Sequence, residues 1–303
     1  MGIRSLIKSF KKNKEVATNV VEEPKDKMFS PWKPVEIEAV NNYKYSAWSH
    51  DGVGEYYAKN VDIATFFDKV TKRYFLQYID KGDKVLDVGA GTGRLSFAIA
   101  EQGNEVVAID ISADMLSQID INKGELNINT VVGNCEKLPF DDNSFDKIVS
   151  LDAMIHFIQW DLFLKEQVRV VKPNGLVLFN IYCGENLNKY STDKNERGRF
   201  STNGDFVASV TNQELQDVCS SMENSDYKIE IVKQIPFNFL HVNSLGYGYV
   251  SPEELFQFSK LYYKMMKNPE FLNIITEFEN TIVKNKPLGI TSQEIVVLRK
   301  VQK

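Results

Sequence analysis

Cysteine is scarce in this chain of 303 residues, and the three present, Cys135, Cys183 and Cys219, are odd in number and lack C-x-x-C spacing. Such an arrangement supports neither a disulfide framework nor a zinc site, so the expectation is a reducing, cytoplasmic setting without a bound metal. An excess of positive charge is also lacking, since 36 Lys and Arg stand against 41 Asp and Glu, a formal net charge of -5. Clustered cations are what grip a phosphate backbone, which makes nucleic acid a disfavoured partner. No apolar run approaches the roughly 18 residues that a membrane-spanning helix needs, and no signal-peptide core is found. There is no internal repeat and no low-complexity tract.

What is present is a 43% hydrophobic composition, enough to bury one large α/β domain with additions or two modest domains. Three regions divide it: an arm and linker over residues 1–40, a core over 41–182, and 183–303, which completes the fold and adds recognition elements. In the arm, Ile3, Leu6, Ile7 and Phe10 fall at helical spacing among Arg4, Lys8, Lys11, Lys12 and Lys14. This basic amphipathic pattern over residues 3–14 has two readings, peripheral contact with the inner membrane surface or a terminal helix packed on protein. Residues 13–35 read as a linker, with Pro24, Pro31 and Pro34.

A helix is predicted over Val61 to Tyr78. Strands then alternate with helices: strands at Lys84 to Val88, Glu105 to Ile109, Asn127 to Val132, Phe145 to Leu151 and Gly175 to Tyr182, helices at Arg94 to Gln102, Ala113 to Ile119 and Asp161 to Val171. Short connections between such elements imply a parallel, doubly wound sheet covered on both faces. Past a polar stretch, Cys183 to Ser209, Thr211 and Glu214 form a capping box that opens a helix. A strand at Lys228 to Ile235, a helix from Ser251 to about Met266, a second helix over Pro269 to Val283 and a closing strand at Glu294 to Arg299 complete the reading.

The central motif is Asp87-Val88-Gly89-Ala90-Gly91-Thr92-Gly93-Arg94, where a strand ends and a helix begins. Glycines suit a tight turn that a ligand approaches without meeting a Cβ. A dinucleotide fingerprint would have Gly at position 94, where Arg94 stands, and no Walker lysine follows. An acidic residue, Asp87, two places before the glycines suits a ligand with an ammonium group better than a pyrophosphate. Asp110 ends the second strand, where a carboxylate can accept from both hydroxyls of a ribose, as in any adenosine-binding fold of this type.

These residues resemble the class I S-adenosylmethionine-dependent methyltransferases, in particular the group acting on small molecules. The resemblance covers residues 83 to 182. It rests on the glycine turn, on Ala108-Ile109-Asp110-Ile111-Ser112, on Gly133-Asn134-Cys135-Glu136-Lys137-Leu138-Pro139-Phe140-Asp141-Asp142-Asn143-Ser144-Phe145-Asp146 and on Val171-Lys172-Pro173-Asn174-Gly175. It implies a Rossmann-like, seven-stranded sheet, mostly parallel with an antiparallel last strand, and a helical insertion before that strand. It implies S-adenosyl-L-methionine as cofactor, held by Asp87, Gly89, Ala90, Gly91 and Gly93 at its methionine portion and by Asp110 at the ribose. The adenine falls to Ile111, Asn134, Cys135 and Glu136, with Leu151 also at the site. The family usually has Asp where Asn134 stands.

Methyl transfer needs a base only when the acceptor is a hydroxyl or a protonated amine. His156, a few residues past the fourth strand, is the first candidate, with Asp152 and Tyr182 as backups and His50 and His241 behind them. Cys183 lacks the Pro-Cys dipeptide of cytosine C5 chemistry, and no Asn-Pro-Pro-Tyr or Asp-Pro-Pro-Tyr follows the fourth strand. Trp48, Tyr56, Tyr57, Phe237, Phe239, Tyr247 and Tyr249 suit a lid over an acceptor with apolar or sugar-ring surface. The expected acceptor is therefore a small molecule or glycan, methylated at oxygen or nitrogen. The helices after Ser251 equally suit a homodimer interface, and a scaffolding protein that keeps the fold without catalysis is the alternative function.

Overall fold

The computed structural model describes residue 48 and residues 51–60, 65–187, 198–200, 206–237, 261, 265, 268–288 and 293–303. The amphipathic arm, the linker, His50, His241 and most of the helix expected from Ser251 lie outside the described residues. Of the described residues, helices α1 (Val53–Asn60) and α2 (Thr65–Leu76) precede the first strand. From there the chain runs β1 (Lys84–Val88), α3 (Arg94–Ala100), β2 (Glu105–Asp110), α4 (Ala113–Asn122), β3 (Ile128–Val132), β4 (Phe145–Ser150), α5 (Trp160–Val170) and β5 (Val171–Tyr182). A short helix α6 (Gly184–Leu187), a hairpin of β6 (Gly198–Phe200) with β7 (Phe206–Ala208), α7 (Asn212–Ser221), β8 (Tyr227–Phe237), α8 (Pro269–Thr281) and β9 (Gln293–Gln302) follow.

Seven strands form one sheet in the order β3-β2-β1-β4-β5-β9-β8. Neighbours from β3 to β5 pair in parallel, and β9 runs antiparallel between β5 and β8. The expected antiparallel last strand is thus present, inserted between its neighbours and not at the edge. Alternation along each strand feeds two cores. Leu86, Val107, Ile148, Val177, Phe179 and Leu298 meet Phe163 and Leu164 of α5 and Leu215 and Val218 of α7 on one face. Val85, Val106, Ala108, Leu178 and Val297 meet Phe75 of α2, Leu95 and Ile99 of α3, Leu116 of α4 and Ile275 of α8 on the other. Nearly unbroken apolar strands are what a sheet covered on both sides requires.

Strand order reverses between β1 and β4, and a crevice opens there at the carboxyl ends of the strands, where ligands bind in sheets of this kind. The opposite end is pinned by Lys300, which is buried and donates to Asn143 Oδ1 at 2.8 Å, Val168 O at 2.9 Å and Val171 O at 3.0 Å. Helix α1 rests on α4 closely enough that a Cβ on Gly54 would lie 2.4 Å from the Asp114 carbonyl oxygen, and the Gly54 N–H donates to Asp114 Oδ2 at 2.6 Å. Among the described residues no helix is long and apolar enough to cross a membrane.

Candidate active site

The crevice holds a cavity of about 380 Å³, within the range of small-molecule sites. Its floor is the glycine turn between β1 and α3. The N–H groups of Gly89 and Ala90 both donate to Ile109 O, at 2.8 and 3.0 Å, which stitches the turn to β2. Gly91 donates to Asp110 Oδ2 at 2.9 Å. Two glycines here have distinct reasons to be glycine. At φ 72°, Gly89 faces the loop after β4, where an added Cβ would sit 2.3 Å from the Ala153 Cβ. At φ 55°, Gly91 has open space on that side, and the open space is the cavity.

Four carboxyl groups line the cavity, three of them, Asp87, Asp110 and Glu136, on this wall and Asp152 on the other. Asp87 is buried and accepts from the Ser96 hydroxyl at 2.6 Å; burial pushes its carboxyl up to about 6, against the pull of that hydrogen bond. Asp110 has one backbone N–H on each oxygen, Gly91 on Oδ2 and Ser112 on Oδ1 at 2.9 Å, and burial holds it above the ordinary carboxylate range. Each oxygen keeps a further lone pair for a ligand hydroxyl. Glu136 has a buried Oε1 with no hydrogen-bond partner among the described residues, and burial followed by the charge of Asp161 raises its carboxyl to about 7. Beside it, Asn134 Oδ1 accepts the Glu136 N–H at 2.8 Å, which leaves the amide NH₂ available. The Cys135 thiol is buried and pushed up by desolvation, so it is no nucleophile.

The opposite wall comes from the chain after β4. Asp152 sits at φ 58°, with its N–H donating to Asn180 Oδ1 at 2.7 Å and its Oδ1 accepting from Asn180 Nδ2 at 2.8 Å. Its Oδ2 pairs with Arg94 Nη2 at 3.0 Å. A 3₁₀ turn, Met154–His156, carries His156 into the cavity, where its ring lies 5.2 Å from that of Trp48, tilted by 58°. Leu151, Ala153 and Phe157 complete this wall.

Residues 86–179 match a family model described as a methyltransferase domain. That stretch of the chain is similar to a methyltransferase domain. Among similar proteins, an uncharacterized protein of Methanocaldococcus jannaschii is 32% identical over 149 residues, 46% of this chain and 55% of its own. The Haemophilus ducreyi ubiquinone/menaquinone biosynthesis C-methyltransferase UbiE is 33% identical over 142 residues, 43% of this chain and 53% of its own. The chain therefore spans about half the length of these curated relatives. Of solved structures, phosphoethanolamine N-methyltransferase 1 from Haemonchus contortus, bound to phosphoethanolamine and S-adenosylhomocysteine, aligns with a TM-score of 0.55 at 14% identity, over 88% of this chain and 50% of that one, a likeness of fold.

The cofactor of a methyltransferase domain, S-adenosylmethionine, fits the residues present. An amino-acid end needs an anionic partner at the turn, a ribose needs a doubly accepting carboxylate, and an adenine amino group needs an acceptor; Asp87, Asp110 and the orphaned Glu136 Oε1 stand in those roles. Ile111, 37% exposed, offers an apolar face. Of the residues expected from sequence, Asp87, Gly89, Ala90, Gly91, Asp110, Ile111, Asn134, Cys135, Glu136, Leu151, Asp152 and His156 line the one cavity. Gly93 does not; a Cβ there would meet Ile119 at 2.8 Å, so its role in the methyltransferase domain is packing of α3 on α4. Tyr182 is likewise outside the lining, with its carbonyl accepting from the Val210 N–H at 2.9 Å. Asp152 reaches the cavity, with its carboxylate held by Arg94 and Asn180. Arg94, Thr92, Leu95, Met115, Ala153 and Phe157 were missed. Only Arg94 had a signal, as the non-glycine that closes the turn.

Proposed function

We propose that this chain is an S-adenosylmethionine-dependent methyltransferase that alkylates an oxygen or nitrogen of a small-molecule acceptor. The observation that carries this reading is a single cavity with the three cofactor-type carboxyl groups on one wall and His156 on the other. Transfer from a sulfonium is an in-line displacement with a neutral leaving group, so the enzyme's main task is to hold the acceptor behind the methyl carbon; such orientation contributes up to about 7 to 11 kcal/mol. His156 is the base in this reading, taking the proton of a hydroxyl or ammonium acceptor for about 10² to 10⁴ in rate.

Trp48 and Phe157 give the acceptor side an apolar, aromatic surface that suits a ring or a sugar face. The amphipathic residues 3–14 are the part we propose brings the enzyme to the inner face of a membrane, where a lipid-linked glycan would be the acceptor.

Calorimetry with S-adenosylmethionine is expected to show micromolar-range binding, reduced by about tenfold to a hundredfold in Asp110→Ala, since hydrogen bonds to a charged group contribute about 1.5 to 3 kcal/mol each. Radiolabelled methyl donor, offered with pools of hydroxyl, amine and carbon acceptors, then identifies the acceptor atom. No cofactor binding would overturn the reading, and label found only on carbon would remove His156 as a base toward oxygen or nitrogen.

A further inference from the structure

We propose that Arg94, Asp152 and Asn180 form a positioning network through which cofactor occupancy sets the placement of His156. The inference rests on the cofactor reading of the cavity. Its three members come from three elements: Arg94 opens α3 directly after the glycine turn, Asp152 follows β4, and Asn180 lies in β5, only 1% exposed. Arg94 also lines the cavity.

Asp152 is the point where the strands meet the active-site loop. Its φ of 58° is a left-handed conformation that non-glycine residues seldom adopt and that Asp tolerates best when a local hydrogen bond holds it. Asn180 supplies that hold twice, at 2.7 Å and 2.8 Å, so the backbone leaves β4 in a fixed direction. One residue on, Ala153 is wedged against Gly89 with no room for another methyl group between them. The His156 N–H then donates to Ala153 O at 2.9 Å, and the imidazole meets Trp48. The direction in which Asp152 sends the chain is therefore the direction from which His156 reaches the cavity.

The other end of the network faces the ligand. A carboxylate entering at the glycine turn meets the Arg94 guanidinium, which already shares its charge with Asp152 Oδ2 at 3.0 Å. A guanidinium has five donors and can serve both anions, but not with the geometry that it gives to one. A bound carboxylate thus competes with Asp152 for the guanidinium, which is the differential contact that any coupling between sites requires. A simple structural brace would behave otherwise, because a partly exposed ion pair adds little stability and is indifferent to the ligand.

The test uses the full chain, S-adenosylhomocysteine as the probe, calorimetry, and the imidazole signals of isotope-labelled protein, with His156 assigned from His156→Gln. Saturating probe is expected to shift the His156 signals in the unsubstituted protein. In Arg94→Gln and Asp152→Asn, affinity should fall about 5- to 10-fold, and the His156 shift at saturation should fall below half. Arg94→Lys should recover part of both. Thermal melting checks folding, and Arg94→Gln, whose side chain is partly exposed, keeps the test open should Asp152→Asn unfold. Variants that keep the full His156 response at saturation overturn the network whatever their affinity. Absence of binding in the unsubstituted protein overturns the cofactor reading instead.

Discussion

The two walls of the cavity are held in place by different means. Toward β1, β2 and β3 the wall is stitched chiefly by backbone, Gly89 and Ala90 to Ile109 O and Gly133 N–H to Asp110 O at 2.9 Å, with the Asp110 side chain adding a bond to the neighbouring Gly91 N–H. Toward β4 and β5 it hangs on side chains from distant places, with Arg94 reaching Asp152 across 58 residues and Asn180 reaching it across 28. Backbone stitching fixes a shape that one ligand needs every time. Side-chain bracing leaves a wall whose lining can change while the sheet stays the same, which suits the side that meets the acceptor.

Breaking the cofactor wall without unfolding the protein should give the largest effect. In Gly91→Val the new side chain enters the open space beside the turn, where nothing of the protein lies within 4 Å. S-adenosylmethionine affinity is expected to fall by about a hundredfold to a thousandfold, roughly 3 to 4 kcal/mol. The fold should bear only the strain of a left-handed residue, about 1 to 2 kcal/mol. A variant that binds as before would show that the cofactor does not lie on this turn. Gly89→Ala sharpens the contrast, since its methyl group meets Ala153 and not the ligand. Overpacking and the positive φ together predict a loss of about 2 to 4 kcal/mol in a denaturant titration. A stability unchanged to within 0.5 kcal/mol or so would mean the two walls do not touch there.

The acids of the cofactor wall give a smaller, pH-dependent effect. Asp87 at about 6 and Glu136 at about 7 are both raised chiefly by burial, so the folded protein keeps protons that the unfolded chain has already lost. Their contribution is therefore fully present below the ordinary carboxylate range and is lost as pH rises through 6 to 7. Without ligand, thermal stability should decline from pH 5.5 to 8, by about 1 kcal/mol for Glu136, and Glu136→Gln should flatten its share. Asp146 and Glu166, lowered by Lys172 and Arg169 among their causes, lose stability in a lower window, as pH falls through their own depressed range. A wild-type curve that rises over pH 6 to 8 would contradict the burial of Asp87 and Glu136.

Legibility in the sequence followed the same division. All seven strands of the sheet were readable, because apolar runs bounded by turns mark buried strands. Boundaries shifted by a few residues; β9 runs to Gln302 and not Arg299. The hairpin of β6 and β7 was unreadable, since a polar stretch carries no period. At the site, residues set by local motif came through: Asp87, Gly89, Gly91, Asp110 and the stretch from Asn134 to Glu136. Residues set by tertiary proximity did not, and Met115, Leu95 and Phe157 look in sequence like any other core positions. The pairing of Asp152 was not readable, because a carboxylate near a strand end looks the same whether it is free or paired. The difference lies in Asn180, an ordinary polar residue inside a strand.

The smallest expected effect lies outside the cavity, at the start of α7. Thr211 Oγ1 accepts from Glu214 N–H at 3.2 Å and Glu214 Oε2 accepts from Thr211 N–H at 2.9 Å, so each satisfies a backbone donor that the helix leaves open. A third donor, Asn212 N–H, is served from outside the helix by Glu185 Oε1 at 2.6 Å. Thr211→Ala removes one of these acceptors and leaves the other two, so the loss should be about 1 kcal/mol, read as a fall in melting temperature of roughly 2 to 4 °C. Cofactor affinity should not change, because α7 lies under the face opposite to α3 and none of its residues lines the cavity. A threefold or larger change in that affinity would mean that the region after β5 bears on the cofactor wall, and the division between a stitched wall and a braced one would no longer hold.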